Sequence, residues 1–380
     1  MIFLDNCTTT KIDEEVLKAM EPYLTKKYGV SAGLYNSAQE ADEAIERAQE
    51  LIANGLKTKP EEIVFTDSGT EANNLAIKGI AYANKGKHLI ISKIEHPSVT
   101  ACALELEKKG FEVDYVDVDP KGFVHPEQIE RIVREDTILV SIIYVSHEIG
   151  TIEPIREIVE VVKEKNPQTY FHTDAAMAFG KIPIETEGVD LITLSSHKIH
   201  GPKGAGALFV REGTKIKPIT HGLISKFELK PGAENVPAIV GFGKAAEIAI
   251  RDLEKNAKKV KKLQNFLVKG IESKIPNVIL NGPREKRSPY NLNFSFKYIE
   301  GESIVLRLNE KGIEAATESR CAERELKPNP TLIAIGVPPE VAHGAIRFTL
   351  SKYNTKEEMD YLLGVLPKIV EELREISPFG

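Results

Sequence analysis

The sequence contains no tryptophan, four methionines and three cysteines in 380 residues. Three cysteines cannot build a disulfide framework, and their positions, 7, 102 and 321, match no zinc-ligand spacing, so no metal site is expected. Any cysteine with a function acts alone. Long apolar runs are also missing, since no stretch approaches the roughly 20 residues of a membrane-spanning helix. Met1-Ile2-Phe3-Leu4-Asp5 lacks the charged start and long apolar core of a secretion signal, which makes the cytoplasm the expected location. Basic charge is not in excess either. With 50 Lys and Arg against 56 Asp and Glu the net charge is −6, too acidic for a broad basic face, so neither nucleic acid nor a membrane is an expected partner. Internal repeats and low-complexity tracts are absent.

What is present is an ordinary globular composition, 42% hydrophobic and 28% charged, in a chain long enough for two domains. Asp13 caps an expected helix with Val16, Leu17, Met20 and Leu24 on one face, and residues 36–51 carry a second helical stripe of alanines. Strands and helices then alternate. Strands are expected at 62–66, 88–92, 112–116, 137–145 and 169–173, and helices at 70–83, 97–108, 126–134 and 154–165. Such alternation predicts parallel strands joined by helical crossovers, with ligands at the carboxyl ends of the strands. After residue 238 the character changes to long helices with lysines crowded at 255–262. Strands follow near 277–280, 291–297 and 345–350, with helices at 301–310 and from the Thr355 capping box, which together read as a smaller α+β domain.

Polar groups sit where those strands end. The stretch Leu191–Val210, LITLSSHKIHGPKGAGALFV, runs strand, polar turn, strand, and sets Lys198 at the mouth of a buried strand. Burial penalises an ammonium unless it is paired or does chemistry, so Lys198 is the candidate reactive amine. Asp67-Ser68-Gly69-Thr70 opens a helix, either as a plain cap or as a phosphate cradle of Gly69, Thr70 and free N–H groups. His96 in Glu95-His96-Pro97 is either a helix-start residue or a catalyst. Asp174 is either another cap or the partner of a cationic ring nitrogen. Thr70 for a phosphate, Asp174 for a pyridinium nitrogen and Lys198 for a Schiff base are the parts that pyridoxal phosphate requires.

Over nearly its whole length the chain resembles the cysteine desulfurases of the iron–sulfur assembly type, within the fold-type I pyridoxal-phosphate enzymes. The resemblance rests on Leu4-Asp5-Asn6 with Thr9-Thr10, Gly69-Thr70-Glu71-Ala72-Asn73-Asn74, Glu95-His96-Pro97 and Glu148-Ile149-Gly150-Thr151. Thr173-Asp174-Ala175-Ala176, Ser195-Ser196-His197-Lys198, Glu234-Asn235-Val236-Pro237 and Ile346-Arg347-Phe348 extend it. It implies an α/β fold with a mostly parallel central sheet in a large cofactor-binding domain, residues 13–250. Residues 1–12 and 251–380 would form the small α+β domain. It further implies pyridoxal 5'-phosphate bound by Gly69, Thr70, His147, Asp174, Met177, Ser195, His197 and Lys198, with His96 stacked on its ring. Arg347 and Asn6 would bind the L-cysteine substrate, and Cys321 would take its sulfur as a persulfide. A homodimer and a protein acceptor such as an iron–sulfur scaffold complete what it implies.

The sequence departs from that pattern around the site. Ser146-His147 stand where relatives have two asparagines, and Met177 where they have a glutamine near the cofactor's ring hydroxyl. Ala233 lacks the hydroxyl that relatives lend to the phosphate across the dimer. Ala316-Thr317-Glu318-Ser319-Arg320-Cys321 loses a glycine and gains charge. Two alternatives to desulfuration stand beside it: another enzyme of this fold, such as a selenocysteine lyase or an aminotransferase, and a cofactor-poor scaffold that binds partner proteins.

Overall fold

The computed structural model describes residues 1–224, 226–317 and 328–377. A two-residue strand, β1 (Ile2–Phe3), precedes helices α1 (Glu14–Thr25) and α2 (Asn36–Leu56). The alternation follows as β2 (Ile63–Thr66), α3 (Gly69–Ala83), β3 (His88–Ser92), α4 (Pro97–Glu107), β4 (Glu112–Val116) and α5 (Pro126–Ile132). It continues through β5 (Thr137–Ser141), α6 (Ile155–Lys165), β6 (Tyr170–Asp174), β7 (Leu191–Ser195) and β8 (Gly206–Val210). Helices α7 (Val236–Arg251) and α8 (Leu253–Lys274) lead to β9 (Val278–Leu280), β10 (Asn291–Phe296), α9 (Gly301–Glu310) and β11 (Ile313–Glu314). The short helices α10 (Pro330–Ala334) and α11 (Pro339–Ala342), then β12 (Ala345–Thr349) and α12 (Lys356–Glu375), close the described chain.

Seven strands form the central sheet in the order β2-β8-β7-β6-β5-β3-β4. Strands β2, β3, β5 and β7 are buried along their whole length, as expected where helices cover both faces of a parallel sheet. The sheet is mostly parallel, as expected, and β8, which follows the alternating run, is antiparallel to both neighbours. Only residues 196–205 separate it from β7, too few for the crossover of a dozen or more residues that a parallel pair needs. Gly206 allows the close packing there, because a Cβ would stand 2.4 Å from the Ser68 carbonyl carbon. Since β2, β3, β5, β6 and β7 point the same way, their carboxyl ends share one edge of the sheet.

Three details differ from the sequence reading. Residues 142–145 are not strand, because the chain peels off after Ser141 toward a turn closed by Ser146 N–H donating to Thr151 O. In α1 the apolar stripe is narrower than expected: Val16 and Met20 pack inward, whereas Leu17 and Leu24 are exposed. The pairing of β1 with β11 was not foreseen, since two-residue strands leave no periodic signal.

A second sheet, β12-β10-β9, is antiparallel and carries its own apolar core, built from Leu4 and side chains between Val260 and Leu373. The larger core draws on residues from Cys7 to Ala249. The first residues of the chain join the second sheet, with Asp5 bridging Thr349, before crossing to the central sheet. Asp13 ties the two together, as its Oδ2 accepts from Lys352 Nζ (2.5 Å) and Tyr353 OH (2.6 Å). Among the described residues no helix is long and apolar enough to cross a membrane.

Candidate active site

A cleft of about 390 Å³ lies at the carboxyl edge of the central sheet. Strand β7 ends at Ser195, and one tight turn, Ser196–Lys198, delivers Lys198 into the cleft. Its Nζ donates to the carbonyls of Cys7 (2.5 Å) and Thr8 (2.9 Å). Burial is the largest cause of its lowered pKa; Arg347 pushes the same way, against Cys7 and the Asp174 and Asp5 carboxylates. A neutral amine is therefore easier to form here than on a surface lysine. The turn is held against the N-terminal segment by Thr10, whose N–H donates to His197 O (3.0 Å) and whose Oγ1 accepts from His200 N–H (2.8 Å).

Asp174, at the end of β6, is buried, and each carboxylate oxygen receives one donor: Ala176 N–H on Oδ1 (3.0 Å) and Asn73 Nδ2 on Oδ2 (2.7 Å). His96 caps α4, its Nδ1 accepting from Ser98 N–H (3.1 Å). Its ring meets His147 edge to face at 5.2 Å. His147 Nε2 lies 3.0 Å from Glu148 Oε1, and because a carboxylate only accepts, the proton sits on that nitrogen.

On the other side the first turn of α3 faces Ser195. A Cβ on Gly69 would come 3.3 Å from Ser195 Cβ, so glycine keeps this approach open. Ser195 Oγ is buried without a hydrogen-bond partner, and α3 begins with backbone N–H groups that have no acceptor within the helix. His197 is held near pKa 4 by burial and by the charges of Lys198, Lys203 and Lys181, so its imidazole is neutral. A hydroxyl in search of a partner beside a helix N-terminus suits a phosphate.

The opposite wall comes from distant parts of the chain. Arg347, on β12, is buried between Glu148 (Nη1 to Oε1, 3.1 Å) and Asp5 (Nη2 to Oδ1, 3.2 Å), with Thr8 Oγ1 at 3.4 Å from Nη2. Cys7 and Thr8 line the cleft beside it. The cleft thus combines a buried amine, a carboxylate held by two donors, an unpartnered hydroxyl beside a helix N-terminus and a planar cation.

The class-V aminotransferase family matches residues 2–362 of the chain. A cysteine desulfurase IscS of Dictyoglomus turgidum is 47% identical over 382 residues, covering 100% of this chain and 96% of the relative. One from Methanosarcina thermophila is 46% identical, covering 99% and 94%. This chain belongs to the cysteine desulfurases of the class-V aminotransferase family. The solved structure of a NifS-like protein superposes on the desulfurase with a TM-score of 0.92 at 38% identity, covering 98% of this chain and 100% of that one. SspA in complex with cysteine, 31% identical, gives 0.82 over 93% of this chain and 100% of that one.

The desulfurase fold brings Gly69, Thr70, His96, His147, Asp174, Met177, Ser195, His197, Lys198 and Arg347 to one cleft. Asn6 is not among them: its amide donates to Phe3 O (3.1 Å) and Thr349 O (2.8 Å), and its neighbours Cys7 and Thr8 take the place at the cleft. Cys321 lies outside the described residues. Cys102 is buried in the core of the larger sheet. Met177 Sδ touches Cys7 Sγ (3.8 Å) and Lys181 Nζ (3.9 Å), and burial brings that lysine down to about pKa 8. The sequence reading gave no role to Asn73, Ser98, Asp5 or Glu148. Asn73 and Glu148 were visible within motifs; Asp5 and Glu148 act through a contact that spans the chain.

Proposed function

We propose that the protein uses pyridoxal 5'-phosphate to convert L-cysteine to L-alanine, passing the sulfur to Cys321 as a persulfide and onward to an acceptor protein such as an iron–sulfur scaffold. The observation that carries this reading is the meeting, in one cleft, of the Lys198 amine, the Asp174 carboxylate and the partnerless Ser195 hydroxyl. These residues fit the cofactor: Ser195, Thr70, His197 and the start of α3 suit its phosphate, Asp174 its protonated ring nitrogen, and His96 its ring face. When bound, the cofactor supplies an electron sink for the negative charge that builds at the substrate Cα.

The chain's own groups supply the rest. Arg347 presents a planar fork to the substrate carboxylate. Lys198 would hold the cofactor, and as a neutral amine it would remove the Cα proton of the substrate; its lowered pKa leaves more of it neutral for that task. The Cys321 thiolate attacks the substrate sulfur, so an S–S bond forms as the Cβ–S bond breaks, and the electrons of that bond stay on carbon. Protonation there yields alanine, leaving Cys321–S–SH. Exposed apolar side chains, among them Leu24, Leu34, Leu223 and Ile224, support pairing with a second copy of the chain.

Alanine and sulfide release from cysteine, with dithiothreitol as acceptor, tests the reading. Wild type is expected to form both in equal amounts, and Cys321→Ala to lose at least about 100-fold. Unchanged release by Cys321→Ala would sink the persulfide step, and alanine formation from selenocysteine alone would point to a lyase.

A further inference from the structure

We propose that Asn73 and Ser98 are positioning residues, which relay the polarity of the Asp174 carboxylate to His96 and fix its imidazole as a hydrogen-bond donor at Nε2. The catalytic consequence rests on the function proposed above; the relay itself does not.

The direction of every bond follows from the carboxylate, which can only accept. Asn73 therefore turns its nitrogen to Asp174 Oδ2 at 2.7 Å, since the opposite amide orientation would set two acceptors against each other. The second proton of that nitrogen goes to Ser98 Oγ at 2.8 Å. Having accepted there, the serine hydroxyl has a single proton to give, and His96 Nδ1 stands 2.7 Å away. The Ser98 backbone N–H also points at Nδ1, at 3.1 Å. Two donors on one ring nitrogen require its lone pair, so the proton of the neutral ring is on Nε2. Asn73, Ser98 and Asp174 are 1%, 7% and 6% exposed, which leaves little water to scramble the chain of donors.

Protonating Nδ1 would set that proton against both donors, and Nε2 already carries one. His96 can then donate a hydrogen bond or pack against a ring, but it has no free lone pair with which to act as a base. Proton transfer at the substrate Cα falls to Lys198. In the other direction, Asn73 holds Asp174 Oδ2 in a fixed place for whatever cation it faces. Positions 73 and 98 thus act on the reaction through Asp174 and His96.

Long-range proton–nitrogen NMR of cofactor-free protein carrying 15N-histidine reads the relay directly, with His96 assigned by its loss in His96→Gln. The expected pattern is an unprotonated Nδ1 and a protonated Nε2, unchanged from about pH 6 to about pH 9. Ser98→Ala and Asn73→Ala should each weaken the preference, so that the His96 signals average between tautomers or begin to titrate. In the loaded enzyme both should lower kcat about tenfold while leaving KM for cysteine within about twofold. A wild-type His96 protonated at Nδ1, or titrating across that range, overturns the proposal, as does an unaltered tautomer in both variants. The expected tautomer in a protein that releases no alanine from cysteine would instead count against the function proposed above.

Discussion

The two walls of the cleft are built on different principles. The wall from the central sheet takes its residues from the ends of β3, β6 and β7 and the starts of α3 and α4, and secures part of them through near neighbours in sequence, as in Ser98 to His96 or Ala176 to Asp174, with Asn73 and the N-terminal segment holding Asp174 and Lys198. The facing wall joins Asp5 and Thr8 to Arg347 and Glu148, partners separated by 342 residues in the Asp5 pair and 199 in the Glu148 pair. Burial keeps several ionisable groups of the first wall neutral: Glu95 is raised to about 8, and His172 and His197 are lowered to about 4. In the second, opposite charges are buried together. The lesson is that the amine and the carboxylate lie along the edge of one sheet, while the arginine lies where two cores meet.

That contrast is open to attack, first at its strongest point. Lys198→Ala on the sheet wall should reduce alanine release from cysteine by about 1,000-fold or more, with a thermal midpoint close to wild type. Turnover above about one hundredth of wild type would move the chemistry elsewhere. Arg347→Leu on the facing wall should raise KM for cysteine about 10- to 100-fold. It should also destabilise the fold by about 3–5 kcal/mol, because Glu148 loses a buried partner. The double variant Arg347→Leu, Glu148→Gln should recover most of that stability in a thermal melt but none of the affinity. Recovery of both would mean that Arg347 acts only as a counter-ion.

The neutral groups of the sheet wall give a smaller effect, read in the pH dependence of the melting temperature. Glu95, buried with its Oε1 accepting from Ser92 Oγ (2.5 Å) and Ile143 N–H (2.7 Å), is raised from 4.5 to about 8, mainly by burial. A raised carboxyl contributes stability that is complete below about pH 4.5 and lost as pH climbs through about 8. The buried histidines 172, 197 and 200, lowered from 6.5 to about 4, act with the opposite sign: their contribution is complete above 6.5 and lost as pH falls through 4. Glu95→Gln should therefore flatten the alkaline limb of the curve and leave the acid limb in place. Equal flattening of both limbs would contradict this assignment. The smallest change is expected of Met177→Gln, which restores an amide to the cleft and should tighten cofactor binding about fivefold in a spectrophotometric titration.

The sheet wall was legible because its signals are local. Each buried strand reads as a short, mostly apolar run, and the first Asp or Lys after it marks its carboxyl end: Asp174 after Phe171-His172-Thr173, or Lys198 shortly after Leu194-Ser195. The capping box at Thr355 and the helix 301–310 were legible for the same reason. The facing wall was not. Asn6 was expected at the substrate, yet the Phe3 and Thr349 carbonyls claim its amide, and nothing near it in sequence announces the second. Leu17 and Leu24 have the spacing of core residues but lie outside the packed stripe of α1.

By itself the sequence determined the order of strands and helices, and that Lys198, Asp174 and the Gly69-Thr70 helix start lie at strand ends, because burial and helix capping act over a few residues. Only the tertiary structure decided which carboxylates hold Arg347, that Asn73 and Ser98 join Asp174 to His96, and that Cys7 rather than Asn6 lines the cleft. Those outcomes depend on hydrogen bonds between segments that meet only when the two cores close on each other, and the direction of each bond is set by the partner it finds there.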